Sequence, residues 1–317
     1  MNLNLSNVEK AFFKNSAIQN ITTKVPFVTV ASFPQLGLLS AMSFVEWAIE
    51  NPKGVVSLSA SKTMQYFIHY LHFILDNWNN KQGKELLEKY NLNHKSKPDL
   101  SEIQFVQMGD FYPIASVQHN SLYNFAKTNY IEGFGFNAEK SLLIKSEDIQ
   151  LAEGKHFLEI FPDYQIDLSL RFREAHTAQE KLQQQSIFKL DNWCTQYEER
   201  IREKGGIGFF MSGIGPDGHI AYNTKGSGHY NSTRLTKTNF ETQAVLATDL
   251  GGIEVSRKRL VITVGLGTIC YNPNAKAIVF AAGEAIADTI KFALESTPAV
   301  DAPATALQKL PNSRFYL

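Results

Sequence analysis

From residue 26 onward, short runs of β-branched and apolar residues alternate with longer stretches whose apolar positions recur at helical spacing. The pattern predicts strands at 26–32, 54–60, 103–108, 207–211, 259–265 and 275–283, with a short one at 141–144. It predicts helices at 38–50, 62–78, 121–130, 177–204 and 284–295, several bounded by glycine, proline or asparagine. Residues 79–101 are polar and contain Gly83 and Pro98, so they read as a surface connection holding one short helix. Alternating strands and helices argue for an α/β fold with a mostly parallel sheet. No shift in composition divides the chain, which is read as an N-terminal extension, 1–24, followed by a single domain, 25–317.

In such sheets ligands sit beyond the carboxyl ends of the strands. That directs attention to the loops at 59–63, 109–113, 213–223, 265–268 and 283–286. The loop GIGPDGHIAYN, 213–223, carries the strongest local signal. Its glycines, Gly215 among them, permit close backbone approach, and Pro216 stiffens the turn that bears Asp217 and His219. An aspartate two residues from a histidine can orient the imidazole and support proton transfer near neutral pH. The alternative is a structural turn in which Asp217 caps a helix and His219 packs.

The hydroxyl-rich loop with Ser59, Ser61, Lys62 and Thr63 opens a predicted helix. It suits either an anion site or ordinary N-capping with a solvated lysine. Asp110, at a strand end beside aromatics, reads as a general base or as an Asx turn before Pro113. Asn223, the last residue of the glycine loop, is a candidate ligand contact, and His229 and Arg234, downstream of it, could reach the same cleft or lie on surface loops. The glycine spacing does not fit a dinucleotide fingerprint, because Pro216 interrupts it and the third glycine is misplaced. His69 and His72 lie among apolar neighbours on one helix with no third ligand in view, so packing is preferred to metal binding.

Composition narrows the picture further. The 317 residues carry 31 Lys plus Arg against 31 Asp plus Glu, so no global field favours nucleic acid or an anionic membrane. An anionic ligand must therefore be held by local geometry. Two cysteines are too few for a disulfide framework, the N-terminal stretch lacks a signal-peptide pattern, and no apolar run is long enough to span a bilayer. A cytoplasmic protein is expected.

The segments GIGPDGHIAYN and TVGLGTI, 263–269, together with PATAL and the final NSRFYL, resemble the glucosamine-6-phosphate deaminase and 6-phosphogluconolactonase superfamily. The resemblance runs from about residue 25 to the end. It is nearest to the deaminase-like branch found in Bacteroidetes-type bacteria. It implies a Rossmann-like three-layer αβα fold, a phosphorylated aminosugar as ligand, no redox cofactor, and a possible homo-oligomer. It also implies that His219 assists ring opening with Asp217 as its partner, and that Ser59, Ser61, Lys62 and Thr63 surround the phosphate.

Several positions depart from the family pattern. Gly109 stands where the proton-abstracting aspartate belongs, with Asp110 next to it as a substitute base. Ser61 replaces a glycine of the phosphate loop, Ile286 a lysine near the phosphate, and Thr224 a glutamate. The leading expectation is a deaminase- or isomerase-like protein acting on or binding a sugar phosphate. A lactonase needing no carbon-acid base and a non-catalytic sensor or partner subunit are the alternatives. On the last of these views, restoration of activity by Gly109→Asp with Ile286→Lys would show that the fold is intact and only the chemistry was lost.

Overall fold

The computed structural model describes residues 5–14, 23–92, 96–281, 283 and 286–317, with the side chains of Lys62, Val245 and Asp249 outside the description. Its strands are β1 (Phe27–Val28), β2 (Val55–Leu58), β3 (Gln104–Phe105), β4 (Gly109–Tyr112), β5 (Phe209–Gly213), β6 (Arg234–Lys237), β7 (Leu260–Thr263), β8 (Lys276–Phe280) and β9 (Ser313–Tyr316). Six of them form a wholly parallel sheet in the order β1-β9-β8-β5-β2-β3. Strand periodicity explains the three layers. Val56, Phe209, Met211 and Ile278 enter one apolar core, while their neighbours Val55, Phe210, Ala277 and Val279 enter the other.

The helix Phe33–Glu50 packs in the first core, started by Ser32, whose hydroxyl accepts from the Gln35 amide, and by a proline in its first turn. The helix Ala178–Glu203 covers the second core and ends at Gly205 and Gly206, which hold φ of +83° and +82°. The polar connection contains the expected short helix, Lys81–Lys89, capped by Asn80.

Two predicted features are placed differently. Residues 109–112 are not a loop but β4, and the 259–265 run supplies β7. Both leave the parallel sheet for a second, antiparallel one in the order β4-β7-β6. All four residues of β4 and of β7 are buried, and an apolar run does not show by its period which sheet it will join. The expected strand at 141–144 is reduced to a single bridge between Val106 and Leu142, where the Tyr197 hydroxyl donates to the carbonyls of Gln107 and Leu142.

The N-terminal stretch is part of the packed unit. The helix Asn7–Phe13 sends Glu9, 1% exposed, to the Tyr316 hydroxyl at 2.7 Å and to Arg314 Nε at 3.4 Å. These contacts tie the helix Asn7–Phe13 to β9.

Candidate functional site

The glycine loop leaves the carboxyl end of β5 and returns on itself through Gly218, at φ +80°. His219 Nδ1 lies 2.5 Å from Asp217 Oδ1. The second carboxylate oxygen accepts from Asn239 Nδ2, also at 2.5 Å, and Thr242 Oγ1 stands 3.4 Å from Nδ1. Burial would raise the Asp217 pKa, but the bonds from His219 and Asn239 outweigh it and hold the carboxyl below its usual value. Nδ1 is thereby engaged, and Nε2 carries no hydrogen bond among the described residues. Gly215 makes this arrangement possible. A Cβ there would stand 1.9 Å from His219 Cε1, so only a bare backbone lets the imidazole lie across the turn.

His219 faces a cleft of about 260 Å³ that the hydroxyl loop closes on the other side. Ser59, Ser61 and Thr63 line it, as do Gly215, Tyr222 and Thr242. Ser59 Oγ donates to Ser61 Oγ at 3.2 Å, and Ser61 Oγ and Thr63 Oγ1 are 2.6 Å apart. The buried Tyr130 hydroxyl donates to the Ser59 carbonyl and ties the loop to the core. The Lys62 side chain lies outside the described residues. The structure thus brings together an imidazole–carboxylate pair and a row of hydroxyls from two separate loops, one after β5 and one after β2.

Three expected site residues are placed elsewhere. Asp110 is 1% exposed and does not line the cleft. Its carboxylate accepts from the amides of Phe111, Leu122 and Tyr123, and from Ser121 Oγ, so it anchors the helix Leu122–Ala126 to β4. Burial pushes its pKa up to about 6 against those bonds. Asp110 points away because adjacent strand residues face opposite sides.

Asn223 is fully buried, donating to the carbonyls of Ile220 and Val264. Its Oδ1 accepts from Arg234 Nη1 at 2.8 Å, and Arg234 Nη2 donates to Ser227 Oγ at 3.1 Å. Both residues brace the loop from behind and do not enter the cleft. In turn, Asn239, Thr242 and Tyr222 were not anticipated. Asn239 also caps the helix Phe240–Leu250, and that N-cap pattern is the one trace it leaves in the sequence.

Gly109 lies in the β4–β7 ladder opposite Thr263. A Cβ at this position would meet the Ile262 carbonyl oxygen at 2.7 Å and Tyr222 Cδ2 at 3.3 Å. No side chain is accommodated there without movement of the ladder.

No family model matches the chain. Among curated proteins it is similar to glucosamine-6-phosphate deaminase 2 of Bacillus subtilis, 37% identical over 121 residues, which are 38% of this chain and 48% of that protein. The deaminase of Bacteroides thetaiotaomicron is 38% identical over 28% of this chain and 33% of its own length. The chain thus spans about half the length, or less, of the curated relatives it matches. Among solved structures, a monomeric glucosamine-6-phosphate deaminase superposes with a TM-score of 0.63 over 92% of this chain and 96% of the other, at 16% identity. The chain shares the fold of that solved structure. The 6-phosphogluconolactonase of Trypanosoma brucei superposes at 0.57 over 93% of this chain and 96% of its own, with 14% identity. The likeness in fold thus extends over more than nine-tenths of the chain. Among the described residues, no helix is long and apolar enough to cross a membrane.

Proposed function

We propose that the cleft between the Gly213–Asn223 loop and the Ser59–Thr63 loop binds a phosphorylated sugar or aminosugar. In this reading His219 moves the proton and the hydroxyl loop holds the anion. The observation that carries it is that His219, paired with Asp217, lines one cleft with Ser59, Ser61 and Thr63. Asp217 fixes the imidazole through Nδ1 and stabilises the imidazolium, leaving Nε2 to exchange a proton with the ligand. In ring opening, the anomeric hydroxyl gives up its proton, the C1–O5 bond breaks and O5 gains a proton.

Isomerisation with release of ammonia also needs a base at C2. Gly109 does not supply one and Asp110 is turned away, so the deaminase reading requires that proton to be taken by another group. The same observation favours a second reading, hydrolysis of a phosphorylated lactone. There His219 takes a proton from water, the resulting hydroxide adds to the C1 carbonyl, and the ring oxygen leaves protonated. The cytoplasmic setting and the homo-oligomer expected from the resemblance stay with this proposal, the latter to be read by sedimentation.

The test measures ammonia and fructose 6-phosphate from glucosamine 6-phosphate, 6-phosphogluconolactone hydrolysis, and thermal shift with both ligands, for the wild type and His219→Ala. Loss of one turnover in His219→Ala assigns that reaction. Binding without either turnover makes the protein a sensor. Absence of both binding and turnover refutes the site.

A further inference from the structure

At the ends of β4 and β7 remote from Gly109 and Thr263, a second cavity of about 580 Å³ opens beneath the 146–164 segment. The strands pair from Gly109↔Thr263 to Tyr112↔Leu260, which separates the two places by roughly 10 Å of strand. Tyr112, Ile114, Ile149, Leu151 and Phe157 give the cavity an apolar wall. Arg259, half-buried, is set into that wall. Its guanidinium donates to the Pro113 carbonyl and lies 5.5 Å from the centroid of the Tyr164 ring. Tyr164 itself holds φ +56°, a backbone conformation that L side chains seldom adopt.

Arg259 has no carboxylate partner among the described residues. The other charged groups lining the cavity are engaged: Glu147 accepts from the Ser116 amide at 2.7 Å, and Lys155 pairs with Glu153 at 3.0 Å. Ser146, also on the lining, has a buried hydroxyl oxygen with no hydrogen-bond partner. A half-buried guanidinium facing an apolar cavity is ordinarily matched by an anion, and a planar carboxylate fits its paired N–H groups.

We propose that this cavity is a second ligand site, taking a small carboxylate on an aromatic or branched apolar body. One uncompensated guanidinium and one free hydroxyl match a single negative charge; a phosphate dianion would call for more donors. The site is independent of the chemistry proposed for His219.

The test is titration calorimetry of the full chain with phenylacetate, its neutral amide phenylacetamide, acetate and phenyl phosphate. Phenylacetate should bind at one site per chain, at least about tenfold more tightly than phenylacetamide or acetate, with phenyl phosphate weaker. Arg259→Gln should reduce phenylacetate to the level of the amide. Leu158→Glu, a change at the half-exposed rim, should do the same if Arg259→Gln does not fold. His219→Ala and saturating glucosamine 6-phosphate should leave phenylacetate binding unchanged. The inference is overturned if phenylacetate does not bind or binds no more tightly than its amide. It is overturned equally by undiminished binding in the folded variants, by displacement with glucosamine 6-phosphate, or by tighter binding of phenyl phosphate.

Discussion

Restoring a carboxylate at position 109 is the obvious repair if this chain has lost a deaminase base, and the structure predicts that it fails. A Cβ on Gly109 would sit 2.7 Å from the Ile262 carbonyl oxygen, 3.3 Å from Tyr222 Cδ2 and 3.4 Å from Thr263 Cα. The nearest atom belongs to the backbone of a buried, fully paired ladder, so relief requires β4 and β7 to part. Overpacking of this kind costs about 1–3 kcal/mol, or roughly 2–4 °C in Tm for each kcal/mol in chains of 150 to 250 residues. Gly109→Ala isolates that cost. Gly109→Asp adds a buried carboxylate facing a carbonyl oxygen and should be the less stable of the two. Urea unfolding of both variants, with ammonia release from glucosamine 6-phosphate measured for Gly109→Asp and for its combination with Ile286→Lys, provides the check. A Gly109→Ala protein within about 0.5 kcal/mol of the wild type, or any gain of ammonia release in Gly109→Asp or the double variant, would refute it.

Gly215→Ala should drive the imidazole away from Asp217 and cut whichever turnover is found by about 10²–10⁴-fold, with the urea midpoint near wild type; full retained activity would contradict the close approach. Asp110 has its pKa raised from 3.8 to about 6, so the native state binds the extra proton and wild-type stability should fall as pH rises from about 4 to 6, by on the order of 3 kcal/mol. In Asp110→Asn that slope should vanish, which thermal melts across this range would show. Burial would raise the Glu9 pKa, but Lys276, Arg314 and the bonds from Ser6 and Tyr316 hold it low. Its stabilisation is therefore present above the usual carboxylate pKa and lost as pH falls through the lowered one. Glu9→Ala leaves Arg314 without that carboxylate in the core, at an expected cost of about 3–5 kcal/mol by urea unfolding.

What the sequence determined by itself was local. Apolar periodicity placed β1, β2, β3, β5 and β8 of the parallel sheet, because burial on both faces leaves a run of apolar residues, but it left β9, the short SRFY segment between β1 and β8, unread. Asp217 and His219 were legible as a pair because they lie two positions apart, and the glycines around them signalled a close approach. Tertiary structure decided whatever depends on distant chain segments meeting. The grip of Asn239 on Asp217 comes from 22 residues downstream, and the hydroxyl loop reaches the cleft only because β2 pairs beside β5. Asp110 looked like a base from its position at a strand end. Which face of β4 it takes, and the ring of amide donors it meets there, is set by pairing with β7 and by the return of residues 121–123. Asn223 and Arg234 were drawn behind the loop for the same reason: buried polar groups go where partners exist, and partners are a property of the folded chain.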